Sequence, residues 1–285
     1  MPPSIGTNVL ISKGLWPESG KISYIGGRHR GGIMFVSQVQ SVQFVGAGPG
    51  AADHLTLGAL KAITSADVVI HDRLVGDEVL ALVPPQTRRI NVGKEGFGPS
   101  TLQSTINDTL VAEALTGAKV VRLKGGDCGI FGRLDEEIDA LEAAGIGFTI
   151  LPGLTSATVA AARIGQSLTR RGRNASLRII TGHDMAGFAE QDWRGLARHG
   201  EVAAIYMGKK SARFIQGRLM MHGAGADTPV TLVENVSRAN ERVLAATLAT
   251  LPDASAQLDG PAIILFGLAP RQAAVPLATL KEARA

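Results

Sequence analysis

Asp72 and Lys94 stand at the ends of two neighbouring predicted strands, in VVIHDRLV and RINVGKEG. An acid and an amine at one sheet edge can move protons to and from a bound molecule. A surface salt bridge is the competing use of the same pair. Two glycine-rich turns close other strands. Gly46-Ala47-Gly48-Pro49-Gly50-Ala51 follows VQFV and satisfies the loose dinucleotide pattern G-x-G-x-x-G/A, with Asp72 near the spacing of a ribose-binding acid. Pro49 counts against that reading, because it removes an amide N–H from the loop that would cradle a pyrophosphate. Gly125-Gly126-Asp127 follows KVVRL. Glycines there let the backbone approach a flat or crowded ligand. Asp127 can accept from a hydroxyl, pair with an ammonium, or cap the next turn.

Arginines supply a second kind of chemistry. Leu168-Thr169-Arg170-Arg171-Gly172-Arg173 is a basic cluster which, with Arg133, can hold carboxylates through paired N–H donors. Solvated loop arginines are the plainer alternative. Thr155 and Ser156, after Pro152-Gly153, can cap the following helix or face a cleft. The histidines show no metal-ligand spacing, so no metal is expected.

These residues need a scaffold, and the hydrophobic pattern supplies one. Strands are predicted at VQFV, DVVI, RRINV, KVVRL and FTIL, alternating with helices at LTLGALKAI, VGDEVLALV, TLQSTINDTLVAEAL and LDEEIDALEAAG. That alternation implies right-handed βαβ units and a parallel sheet, with Gly145 as a helix stop. After the break at Pro152, a helix and strands LRIIT and VAAIYMG lead into helix KKSARFIQGRLMMHG. The strands PVTLVE, RVLAATL and PAIILFG then follow without predicted helices, which implies hairpins and a mixed sheet. The expected division is a poorly ordered extension over 1–41, an N-terminal α/β domain over 42–154, a C-terminal α/β domain over 155–270 and a tail over 271–285.

Composition narrows the class. The 285 residues carry 45% hydrophobic and 4% aromatic side chains and 35 glycines, which favours α/β packing with tight turns. A net charge of +4 suits an anionic small molecule, whereas no dense basic face with interleaved aromatics suggests nucleic acid. Cys128 is the single cysteine, so no intramolecular disulfide is expected. No segment reaches transmembrane length and the N-terminus lacks a signal-peptide core, so a cytoplasmic protein without membrane contact is expected.

Taken in order, VGAGPG, HDRLV, NVGK, VVRLKGGD, IFGR, ILPGLTSA, LTRR, ITGH, IYMG, TPVTLVEN and PAIILFG resemble the tetrapyrrole methyltransferases, and within them the uroporphyrinogen-III C-methyltransferases. The resemblance runs from about Val42 to Gly267 and displaces the dinucleotide reading. It implies a two-domain fold with a parallel-rich N-terminal sheet, a mixed C-terminal sheet and an active site in the cleft between them. It also implies S-adenosyl-L-methionine as methyl donor, uroporphyrinogen III as substrate, precorrin-2 as product and a homodimer. Residue by residue, it makes Asp72 the proton acceptor and Lys94 the donor. It puts Pro49, Gly125, Gly126, Asp127, Ile130, Thr155, Ser156 and Met207 at the cofactor, and Arg133 and Arg171 at the substrate's acetates and propionates.

The chain also departs from that pattern. Cys128-Gly129 replaces a Pro-Phe pair, which should loosen the cofactor loop. Glu95 replaces a basic residue, Ser104-Thr105 an acidic pair, Arg170 a histidine, and Val236 a glycine, where added bulk should crowd the adenosine. Two rival readings follow: a methyltransferase for another precorrin, and a catalytically weakened tetrapyrrole-binding paralogue.

Overall fold

The computed structural model describes residues 40–93, 102–184 and 187–271. The first half builds β1 (Val42–Gly46), α1 (Leu57–Ser65), β2 (Val68–His71), α2 (Asp77–Leu80), β3 (Arg88–Asn91), α3 (Gln103–Leu115), β4 (Val120–Lys124), α4 (Leu134–Ala143) and β5 (Phe148–Leu151). The five strands lie in the order β3-β2-β4-β1-β5, and every pairing is parallel. Alternation along the strands sorts the core into two layers. Val42, Phe44, Val68, Ile70 and Val120 meet Ile106 and Leu110 of α3 and Leu141 of α4. Val45, Val69, Val121 and Leu123 meet Ala59, Ala62 and Ile63 of α1. Gly145, at φ +68°, ends α4 as expected, with its N–H on Glu142 O at 2.9 Å.

The second half comprises α5 (Ser156–Arg163), β6 (Arg178–Thr181), β7 (His183–Asp184), β8 (Gly187–Phe188), α6 (Trp193–Leu196), β9 (Ala203–Tyr206), α7 (Ala212–Met221), β10 (Pro229–Glu234), β11 (Arg242–Thr247), α8 (Leu251–Ala256) and β12 (Ala262–Phe266). Its sheet has the order β11-β10-β12-β9-β6. Only β6–β9 is parallel, and β10–β11 is the anticipated hairpin. Three short elements escaped the sequence reading: the β7–β8 ribbon, α6 and α8. The last of these interrupts the run of strands expected after Val230, and Pro252 sits in its first turn, where proline costs no hydrogen bond. Most of residues 1–41 and the tail, together with Lys94 and Glu95, lie outside the described residues.

Candidate active site

The carboxyl ends of β1, β2 and β4 converge because these strands are neighbours. Gly46 is in register with Lys124, and beyond them Gly48 and Gly126 exchange backbone hydrogen bonds of 3.1 and 2.8 Å. The chain after β5 enters the same crossing. A Cβ on Gly46 would lie 2.5 Å from Gly153 N, and one on Gly153 would lie 2.3 Å from Gly126 O. The glycines here thus permit backbone-on-backbone contact. Asp127 braces the crossing, with Oδ1 accepting from Gly129 N and Oδ2 from Gly153 N, both at 2.9 Å. The first glycine turn does not open a helix directly. A short 3-10 turn intervenes, and α1 begins only after Thr56, which caps Ala59 N at 3.0 Å. Gly50 instead packs under Val236 O and Arg238, which differs from a pyrophosphate-binding loop.

Beside this edge lies a buried ionic network that the sequence reading missed. Arg122 donates from Nε to Glu137 Oε2 at 2.8 Å and from Nη2 to Glu137 Oε1 at 3.0 Å and Asp72 Oδ1 at 2.7 Å. Its Nη1 reaches Leu123 O at 3.3 Å and Ile70 O at 3.5 Å. Lys124 Nζ donates to Glu137 Oε1 at 2.6 Å. Arg122, Lys124 and Glu137 are at most 3% exposed, while the Asp72 side chain keeps 30%. Burial works against the Arg122 cation, but Asp72 and Glu137 outweigh it and raise its pKa. Burial and the adjacent guanidinium lower the Lys124 pKa, with Glu137 opposing. The signal was present in the sequence. Arg122 and Lys124 share one face of an apolar strand with Val120, and Glu137 lies on the apolar stripe of α4 with Leu134, Ile138 and Leu141.

The two sheets enclose a cavity of about 590 Å³. Its first wall is Pro49, Asp72, Lys124, Gly125–Asp127 and Ile130; the opposite wall includes Tyr206, Met207 and Val236. Tyr206 also organises the entry to α5. Its hydroxyl bonds to Thr155 Oγ1 and accepts from Ala157 N at 3.1 Å, so Tyr206 caps the helix. Of the two uses open to Thr155 and Ser156 the structure shows the second: they line the cleft. Val236 turns its side chain into the core with Ala157, Ala160 and Ile263 while still bordering the cavity. Cys128 is buried against the α4 side of the first sheet, and burial pushes its thiol up to about 12.

The tetrapyrrole (corrin/porphyrin) methylase family model matches residues 41–252. The chain belongs to that family. It is 44% identical to siroheme synthase 3 of Aeromonas hydrophila over 237 residues, covering 82% of this chain and 51% of that protein. It is 46% identical to the siroheme synthase of Edwardsiella ictaluri, covering 79% and 49%. The chain therefore spans about half the length of these synthases. Uroporphyrin-III C-methyl transferase from Thermus thermophilus, complexed with S-adenyl homocysteine, matches with TM-score 0.69 and 33% identity over 80% of this chain and 97% of that one. A cobalt precorrin-4 methyltransferase matches with TM-score 0.72 and 25% identity over 83% and 98%.

The chain gathers Asp72 and all eight residues expected at the cofactor around one cavity. The two arginines expected at the substrate are not among its lining residues. Arg133, at φ +53° before α4, forks onto Glu136 at 2.8 and 2.6 Å, and Arg171 lies exposed between α5 and β6. Among the described residues no cluster of potential metal ligands occurs, and no helix is long and apolar enough to cross a membrane.

Proposed function

We propose that this methylase transfers methyl groups from S-adenosylmethionine to C2 and C7 of uroporphyrinogen III, giving precorrin-2. The observation that carries the reading is that Asp72, Gly125, Gly126, Asp127, Thr155, Ser156 and Met207 border one and the same cavity. The wall suits the methyl donor. Gly126 has φ +74° with open space where a Cβ would stand, so a ligand can approach the backbone closely on that side. Pro49, Gly125–Asp127, Ile130, Thr155, Ser156 and Met207 would hold it, and it supplies an electrophilic methyl group. The chain's own task is alignment and proton handling. Asp72 takes the proton lost by the methylated macrocycle, and Lys94 keeps the donor role that the resemblance implies.

A second acceptor, another precorrin, is favoured by the likeness to the cobalt precorrin-4 methyltransferase. Anaerobic incubation with methyl-labelled S-adenosylmethionine separates the two. Two labelled methyl groups on uroporphyrinogen III are expected. Label in a different precorrin alone selects the second acceptor. S-adenosylhomocysteine binding without label in any tetrapyrrole contradicts methyl transfer altogether.

A further inference from the structure

The network beside Asp72 has a centre, and it is Glu137. All five guanidinium N–H groups of Arg122 have acceptors: two on Glu137, one on Asp72 and two on main-chain carbonyls. A planar guanidinium held this way has one orientation, so its bond to Asp72 Oδ1 fixes where that carboxylate sits. The plane itself is set by the fork onto Glu137, which also takes the Lys124 ammonium at the cavity wall. Gln103 Nε2 adds a 3.5 Å contact to the same Glu137 oxygen. The four charges cancel in pairs: Asp72 and Glu137 against Arg122 and Lys124.

We propose that Glu137 is a positioning residue for methyl transfer, aligning Asp72 through Arg122 while holding Lys124 in the wall of the same cavity. This rests on the proposed role of Asp72 as proton acceptor. Charge alone does not satisfy the geometry, since one carboxylate must reach both cations from α4.

Glu137→Asp keeps the buried charge balance but shortens the reach by one methylene, and Glu137→Gln keeps the shape but loses the charge. Both should lower kcat by roughly ten- to a hundredfold, the scale of a misplaced catalytic group. The KM for S-adenosylmethionine and the calorimetric affinity for S-adenosylhomocysteine should stay at wild-type values. Asp139→Asn, on the exposed face of α4, should change neither. Spectra of ¹³Cε-labelled lysine provide a readout independent of turnover. Lys124 should titrate below the ordinary lysine value, and lower still in Glu137→Gln, where the opposing carboxylate charge is gone. Wild-type kcat in Glu137→Asp, a parallel loss of kcat and cofactor affinity, or an unmoved Lys124 signal would overturn the assignment. A wild-type chain that methylates no tetrapyrrole defeats the proposed function instead. The lysine titration then still decides whether Glu137 holds Lys124.

Discussion

The loop after β4 and the loop after β10 face each other across the cavity and are built by opposite means. The first relies on missing side chains. Gly125 and Gly126 leave the backbone bare, and Asp127 spends both oxygens bracing it. The second relies on side chains, over Asn235–Glu241. Asn235 and Ser237 take φ of +50° and +60° without being glycine. Ser237 Oγ accepts from Ala51 N at 3.0 Å, Arg238 Nη2 donates to Leu74 O at 2.6 Å, and Glu241 accepts from Ser237 N at 2.6 Å and pairs with Arg163. The first loop presents bare backbone to the cavity, and the second, which also lines it, fastens the second sheet to the first. The contrast also explains why Val236 fits where the family pattern has glycine: its side chain packs into the core.

Substitutions can break this contrast in order of severity. Glu137→Ala strands Arg122 and Lys124 in the interior and should cost about 3–5 kcal/mol of stability, read by denaturant unfolding. Gly153→Ala forces a Cβ against Gly126 O and should cost about 1–3 kcal/mol, with loss of S-adenosylhomocysteine binding. Arg238→Ala removes the strap to Leu74 and should cost only about 1.5 kcal/mol, because that hydrogen bond is exposed to solvent. Its binding affinity should fall less than that of Gly153→Ala; a larger fall would reverse the division of labour. The smallest effect concerns Cys128. Its thiol is raised from 9.0 to about 12 in the fold, so its contribution is complete below pH 9 and is lost as pH rises towards 12. Unfolding curves should show that decline only above pH 9, and native protein should resist thiol alkylation near neutral pH.

The sequence made the glycine loop readable because glycine between a strand and a polar residue has few other uses. The hidden parts have physical reasons. Arg122 and Lys124 sit in a strand read as apolar, and Glu137 lies 13 to 15 residues away on α4; the sequence shows each charge on an apolar face, but the fold is needed to join them into one network. Arg238 reaches Leu74 across 164 residues, a contact no local pattern encodes. The β7–β8 ribbon has two residues per strand, too few to show a period of two. Arg133 carries the family motif in IFGR, yet its guanidinium pairs with Glu136 one turn along the chain.

The central claim is that the edge formed by β1, β2 and β4 holds the methyl donor and that Asp72 performs chemistry beside it. Single-turnover methyl transfer by Asp72→Asn, with S-adenosylhomocysteine affinity measured on the same sample, tests it most directly. Retained affinity with transfer to uroporphyrinogen III reduced by about a hundredfold or more is predicted. Transfer at the wild-type rate would contradict it.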